Sequence, residues 1–82
     1  MITGSQIRAA RAALGMSGAE LAEQSEISLR TVSKIEAVNG LPDARISTVT
    51  KLKMVLESVG IEFIGTPDDA PGIRIHSRPP KP

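Results

Sequence analysis

Eighty-two residues with a net charge of +1 and no cysteine make one small domain and exclude a disulfide framework or a Cys-based zinc site. A chain this short buries only ~60% of the surface its unfolded form exposes, so its stability is modest. Phe63 is the only aromatic residue, which leaves an aliphatic core and almost nothing on which single-stranded bases would stack.

The first element follows from Thr3 and Gln6, which have capping-box spacing, with Ile2 and Ile7 placed as a hydrophobic staple. These predict a helix over Gly4–Leu14, its stripe formed by Ile7, Ala10 and Leu14 and stopped by Gly15. Arg8 and Arg11 lie off that stripe. Ser17 and Glu20 form a second capping box, with Met16 and Leu21 at staple spacing. That predicts a helix from Ser17 to about Gln24. Ser28 offers a third N-cap, with Ile27 and Val32 as its staple, and opens a helix from Leu29 to about Val38. Its inward positions are expected to be Val32, Ile35 and Val38.

Only Gln24-Ser25-Glu26 or so separates these last two helices. Two short helices joined by so short a turn form a helix-turn-helix unit, whose main use is to set its second helix in the DNA major groove. The chain is organised around this unit.

Asn39-Gly40-Leu41-Pro42-Asp43 is loop by composition. A fourth helix is expected over Thr48–Val59, capped by Ser47, with Val49, Leu52, Val55, Leu56 and Val59 as its stripe and Gly60 as its end. The staple rule fails at this cap, since Lys51 stands at the spacing from Ile46 where an apolar residue belongs. Beyond Gly60 the period changes to two. Ile61 and Phe63, then Ile73 and Ile75, alternate with Glu62, Arg74 and His76, which predicts two short strands joined by the turn-rich Gly65–Gly72. An isolated hairpin is marginal in water, so this one packs on the helices, pairs with a second subunit, or does both. The expected organisation is a helical unit over residues 1–60, a hairpin over 61–76 and a disordered Pro-rich tail over 77–82.

No catalytic grouping stands out. His76 is the only histidine, so a Ser-His-Asp triad has no obvious members, and a lone strand histidine is ordinarily a surface residue. Asp68-Asp69 in a Pro/Gly turn reads as solvated acid. There is no phosphate-cradling glycine loop and no metal-binding histidine pair, so no cofactor, no metal and no enzymatic activity is expected. No apolar run approaches the ~20 residues of a bilayer span, and the N-terminal stretch lacks a signal-peptide layout. The expectation is a soluble cytoplasmic protein with no membrane role.

The balanced total charge is low for a DNA-binding domain, but the charges are segregated. Glu20, Glu23 and Glu26 lie on the first helix of the unit and its turn, while Arg30 and Lys34 lie on the second. At a spacing of four these two cations share a face and repel one another by a few tenths of a kcal/mol. An anion such as DNA would relieve that. Arg30 sits in the first turn, where recognition helices touch base edges, and an Arg bidentate to guanine is worth ~1–3 kcal/mol. The alternative is that both are ordinary solvated residues. Leu29, off the Val32/Ile35 stripe, would either meet a thymine methyl or pack at the helix edge.

Over roughly Ile7–Val59 the chain resembles the Cro/phage-repressor-type helix-turn-helix proteins, the XRE family. The telling residues are Arg11, Leu14-Gly15, Ser17, Glu20-Leu21-Ala22, Ile27-Ser28, Val32 and Ile35-Glu36. The resemblance implies a mainly α fold: a compact helix-turn-helix bundle, here of four helices followed by a short C-terminal β-hairpin. It implies a structural ion pair between Arg11 and Glu36. It implies base-reading by Ser28, Leu29, Arg30, Thr31, Ser33 and Lys34, and phosphate contact at Ser17, Gly18, Arg45 and Ser47, where helix N-termini suit anions. The run LESVGIEFIG…PGIRI looks like a subgroup of small bacterial members in which a strand pair replaces the last helix. Ile61, Phe63, Ile73 and Ile75 are then the candidates for a dimer interface. Two residues depart from the family pattern: Gly18 stands where glutamine often helps hold a phosphate, and Glu26 stands where glycine often serves a left-handed turn.

The expected function is that of a sequence-specific transcriptional regulator, a repressor that binds double-stranded DNA at a near-palindromic operator as a homodimer. One alternative is an antitoxin that represses its own operon and binds a toxin through the Pro-rich tail. Another is a protein-interaction module that has lost DNA binding.

Overall fold

The computed structural model describes residues 1–77. Among them are four helices followed by a two-stranded antiparallel sheet. Helix α1 spans Gly4–Ala13 and closes its first turn with a complete capping box. The Thr3 N–H donates to Gln6 Oε1 at 2.8 Å, and the Gln6 N–H donates to Thr3 Oγ1 at 3.1 Å. At the other end Gly15 takes a left-handed φ of 65°. The Met16 N–H then bonds back to Arg11 O and the Gly15 N–H to Ala12 O, the paired bonds of a Schellman closure.

Helix α2 (Gly18–Ser25) repeats both devices. Ser17 and Glu20 form its capping box, and Ile27 N–H to Ala22 O with Glu26 N–H to Glu23 O closes its end. Here the left-handed position (φ 58°, ψ 36°) is held by Glu26 instead of glycine.

Helix α3 spans Leu29–Glu36, two residues shorter than the apolar repeat predicts. Val32 and Ile35 are buried, but Val38 lies past the helix end and is 40% exposed. The reason is geometric. The helix stops at Glu36, so a helical repeat no longer sets the direction in which Val38 faces. Glu36 takes the inward place and is buried.

Helix α4 (Ile46–Ser58) begins earlier than predicted. Arg45 is its N-cap residue, with no side-chain cap bond, and Ser47 lies inside the first turn. Read from Arg45, the staple rule holds: Ala44 and Val49 have the required spacing, Val49 is buried and Ala44 packs on the core. The apolar staple, not a hydroxyl cap, sets the entry of this helix. Of the predicted stripe, Val49, Leu52 and Leu56 are buried, Val55 is half-buried, and Val59 is exposed at the end.

Strands β1 (Ile61–Thr66) and β2 (Asp69–Ile75) pair with Ile61 opposite Ile75 and Phe63 opposite Ile73. They reach further than the alternation predicts, and only Pro67-Asp68 joins them. Most of the expected Gly65–Gly72 turn is therefore ladder. Thr66 pairs with Asp69 and also accepts its N–H at Oγ1, 3.0 Å away. A register shift between Ile64 and Thr66 sets Gly65 against Ala70 and Pro71, and a bulge is where a strand accommodates a proline. The expected tail lies outside the described residues, apart from Ser77.

Every helix and β1 contribute to one aliphatic core, in which Ile7, Leu21, Val32, Leu52, Leu56 and Ile61 are the largest fully buried apolar side chains. Each such side chain is worth about 1.5–3 kcal/mol relative to exposure. The hairpin is docked by a polar contact as well. Gln6 Nε2 donates to Ile64 O at 3.1 Å and to Gly72 O at 2.8 Å. The first turn of α1 meets the end of α3 closely enough that a Cβ on Gly4 would overlap the backbone oxygens of Ile35 and Val38. Only glycine fits there.

Candidate nucleic-acid interface

Helix α3 is held from behind by two arginines of α1. Arg11 Nε bonds to Glu36 Oε1 at 3.1 Å and Oε2 at 3.0 Å, and Arg11 Nη2 meets Oε1 at 2.9 Å. Its Nη1 reaches Met16 O, before α2 begins. The bond to Glu36 raises the Arg11 pKa further above its ordinary value. Arg8 lies one turn earlier. It donates to the Glu36 carbonyl and, at 2.9 Å, to Asn39 Oδ1. A guanidinium at the last carbonyls of α3 also complements the negative end of the helix dipole. Glu36 thus binds one arginine through its side chain and the other through its backbone.

With its inner face so anchored, α3 presents its other face outward. Arg30, Ser33 and Lys34 are exposed and Thr31 is half-buried. No salt bridge among the described residues involves Arg30 or Lys34. Leu29 is 49% exposed, and its Cδ1 lies 3.4 Å from where a Cβ on Gly18 would stand. Leu29 therefore leans across the start of α2 while keeping half its surface in solvent. At the helix start, Ser28 Oγ accepts the Thr31 N–H at 3.1 Å and donates to Thr31 Oγ1 at 2.8 Å.

The two helix starts expected to meet phosphate differ. At α2 the Ser17 N–H is engaged by Glu20 Oε1 at 3.1 Å, and these bonds hold the Glu20 carboxyl below its ordinary pKa. Ser17 is exposed and Gly18 half-buried. At α4 no side chain caps the first turn. Arg45 and Ser47 are both exposed there, so a guanidinium and a hydroxyl stand in solvent at a helix start that no side chain caps.

The hairpin residues separate by exposure. Ile61 is 2% exposed and belongs to the chain's own core, which removes it from any outer surface. Phe63 and Ile73 are half-buried against that core, and Ile75 is 58% exposed. On the opposite face Glu62 meets His76 Nε2 at 2.7 Å and Arg74 Nη1 at 3.3 Å. The His76 bond first, and the Arg74 charge after it, lower the Glu62 pKa. A groove of about 520 Å³ runs between Glu57 of α4 and Ile61, Glu62 and His76 of the hairpin. No group of three His, Cys, Asp or Glu among the described residues is placed to hold a metal. None of the helices described is long and apolar enough to cross a membrane.

Three functional supports have little sequence signal. Arg8 could have been found by its place one turn from Arg11. The link from Gln6 to the hairpin and the close approach at Gly4 join segments dozens of positions apart and have no local signature.

A family model described as helix-turn-helix matches residues 7–57 of the chain, from Ile7 in α1 to Glu57 in α4. No curated protein matches it.

Proposed function

The chain belongs to the Cro/C1-type helix-turn-helix family of DNA-binding regulators, and on that premise we propose that it is a sequence-specific repressor that reads a near-palindromic operator as a homodimer. The observation that carries this reading is the outward face of α3. Arg30 and Lys34 lie one turn apart, solvent-exposed and without a salt-bridge partner among the described residues, on a helix clamped from behind through Glu36. In this reading α3 enters the major groove, with Ser28, Leu29, Arg30, Thr31, Ser33 and Lys34 toward base edges. The starts of α2 and α4, at Ser17, Gly18, Arg45 and Ser47, contact phosphates. Residues 1–60 form the DNA-binding part, and residues 61–76 supply the dimer contact. Because Ile61 lies in the core, that contact falls on Ile75, on the outer surfaces of Phe63 and Ile73, and on the open edges of the hairpin. Two protomers so joined set their α3 helices about one DNA turn apart, ~34 Å. The protein then acts in the cytoplasm, with the DNA it controls.

Fluorescence anisotropy tests the reading, using DNA from upstream of the chain's own gene against a scrambled duplex at two salt concentrations. Preference for the upstream duplex that persists at the higher salt supports a base-reading regulator. Equal, salt-sensitive binding to both reports phosphate contact only. Absence of binding to either favours a protein-interaction module instead. Sedimentation at micromolar concentration, with and without DNA, tests the dimer; a monomer throughout removes it.

A further inference from the structure

The start of α3 carries a hydroxyl pair whose protons are assigned by its hydrogen bonds. Ser28 Oγ has one proton and two lone pairs. It accepts the Thr31 N–H at 3.1 Å and donates that one proton to Thr31 Oγ1 at 2.8 Å. Ser28 is left with an acceptor site and nothing to donate. Thr31 has accepted a proton and still holds its own.

A helical hydroxyl ordinarily directs its spare proton to a carbonyl of the preceding turn. Two other hydroxyls in this chain do so: Ser25 Oγ donates to Leu21 O and Ser58 Oγ to Val55 O, each at 2.6 Å. Thr31 Oγ1 has no such bond among the described residues, and its contact with Ser28 is solvent-exposed. Its proton is therefore available to a group outside the protein. The result is a donor at Thr31 beside an acceptor at Ser28, fixed relative to one another on the turn of α3 that recognition helices present to base edges.

Of the four bases, adenine alone shows the matching pair in the major groove, an N7 acceptor beside an N6–H2 donor. Guanine presents two acceptors and would set one against the Ser28 lone pair. Cytosine offers the donor only and thymine the acceptor only. We propose that Ser28 and Thr31 together read one adenine per half-site, with Thr31 donating to N7 and Ser28 accepting from N6–H. This rests on α3 being a DNA-reading helix, and it assigns to two hydroxyls the task that a single Asn or Gln amide performs elsewhere.

The test selects bound duplexes from a randomised library with the full chain, then replaces each adenine of the preferred site, one at a time, by 7-deazaadenine. The analogue keeps pairing and N6–H but lacks the N7 acceptor. One adenine per half-site should be sensitive, with Kd weakened about tenfold for a lost specific contact. Thr31→Val keeps the β-branched shape and the capping N–H, and it should bind the unmodified site about tenfold more weakly and show no further loss with the analogue. Thr31→Ser, which keeps the hydroxyl, should retain the N7 dependence and serves if the valine variant does not fold. If no adenine is sensitive, or if the analogue weakens Thr31→Val as much as wild type, the assignment to these hydroxyls is overturned while DNA reading by α3 stands. A library that enriches no sequence overturns the DNA-reading function itself and this assignment with it.

Discussion

Gln6 and Gly72, separated by 66 positions, are joined by a 2.8 Å hydrogen bond from the Gln6 amide to the Gly72 carbonyl. The same amide nitrogen donates to Ile64 O on the other strand, and the amide oxygen accepts the Thr3 N–H. One buried side chain thus caps α1 and pins both strands of the hairpin to it. Gln6→Glu separates the two roles, because a glutamate still completes the capping box. It has no donor for the two carbonyls and sets a carboxylate against them. The expected loss is at least about 2 kcal/mol, read as a lower urea midpoint. An unchanged midpoint would mean that the hairpin is not docked through this residue.

Glu26 holds a left-handed backbone (φ 58°) at the end of α2, where the corresponding turn after α1 uses Gly15. A residue with a Cβ is strained there by about 1–2 kcal/mol, and a glycine's extra freedom in the unfolded chain offsets part of any gain. Glu26→Gly should therefore raise stability by about 1 kcal/mol and lift the melting temperature. A fall in melting temperature would count against the left-handed turn.

The Arg11–Glu36 pair ties α1 to α3 through three contacts of 2.9–3.1 Å. Arg11→Met leaves the Glu36 carboxylate buried without that partner, and breaking a buried pair from one side costs about 3 kcal/mol. The double substitution Arg11→Met with Glu36→Leu should recover most of that loss, since two apolar side chains leave no buried charge unpaired. A double-mutant cycle from urea unfolding measures the coupling. Additive losses would mean that the pair is not coupled in solution.

Acid should destabilise the protein through two exposed carboxylates. Glu20 is held below its ordinary value of 4.5 by the Ser17 N–H, and Glu62 by His76 and then Arg74. A carboxyl with a depressed folded-state pKa binds fewer protons folded than unfolded. Its contribution is therefore complete above its unfolded pKa and is lost as pH falls through the lower folded value. The raised Arg11 pKa acts in the opposite sense and only in strong alkali. Melting temperature followed between about pH 6 and about pH 3 should fall more gently for the Glu20→Gln, Glu62→Gln variant than for wild type. Parallel curves would refute the role of these two groups.

The helix starts at Thr3, Ser17 and Ser28 were legible in the sequence because each is a local device. A hydroxyl, an N–H three residues on and an apolar pair five apart decide the matter within one turn. The same locality made Ile7 and Ala10 readable as inward positions of α1 and put Arg30 and Lys34 on one side of α3. It failed where the deciding partner lay elsewhere in the chain. The entry of α4 is set by Ala44 and Val49 meeting the core, and a nearby serine is no guide to that. Val38 continues the three-residue repeat but lies past the end of α3 and is exposed. The alternation of Ile61, Phe63, Ile73 and Ile75 gave the strands, but not that Ile61 lies in the protomer's own core while Ile75 is exposed. A period of two fixes which residues share a face and carries no information about how a twisted hairpin lies on the helices. That was decided by Gln6, and by contacts between segments that have no spacing in common.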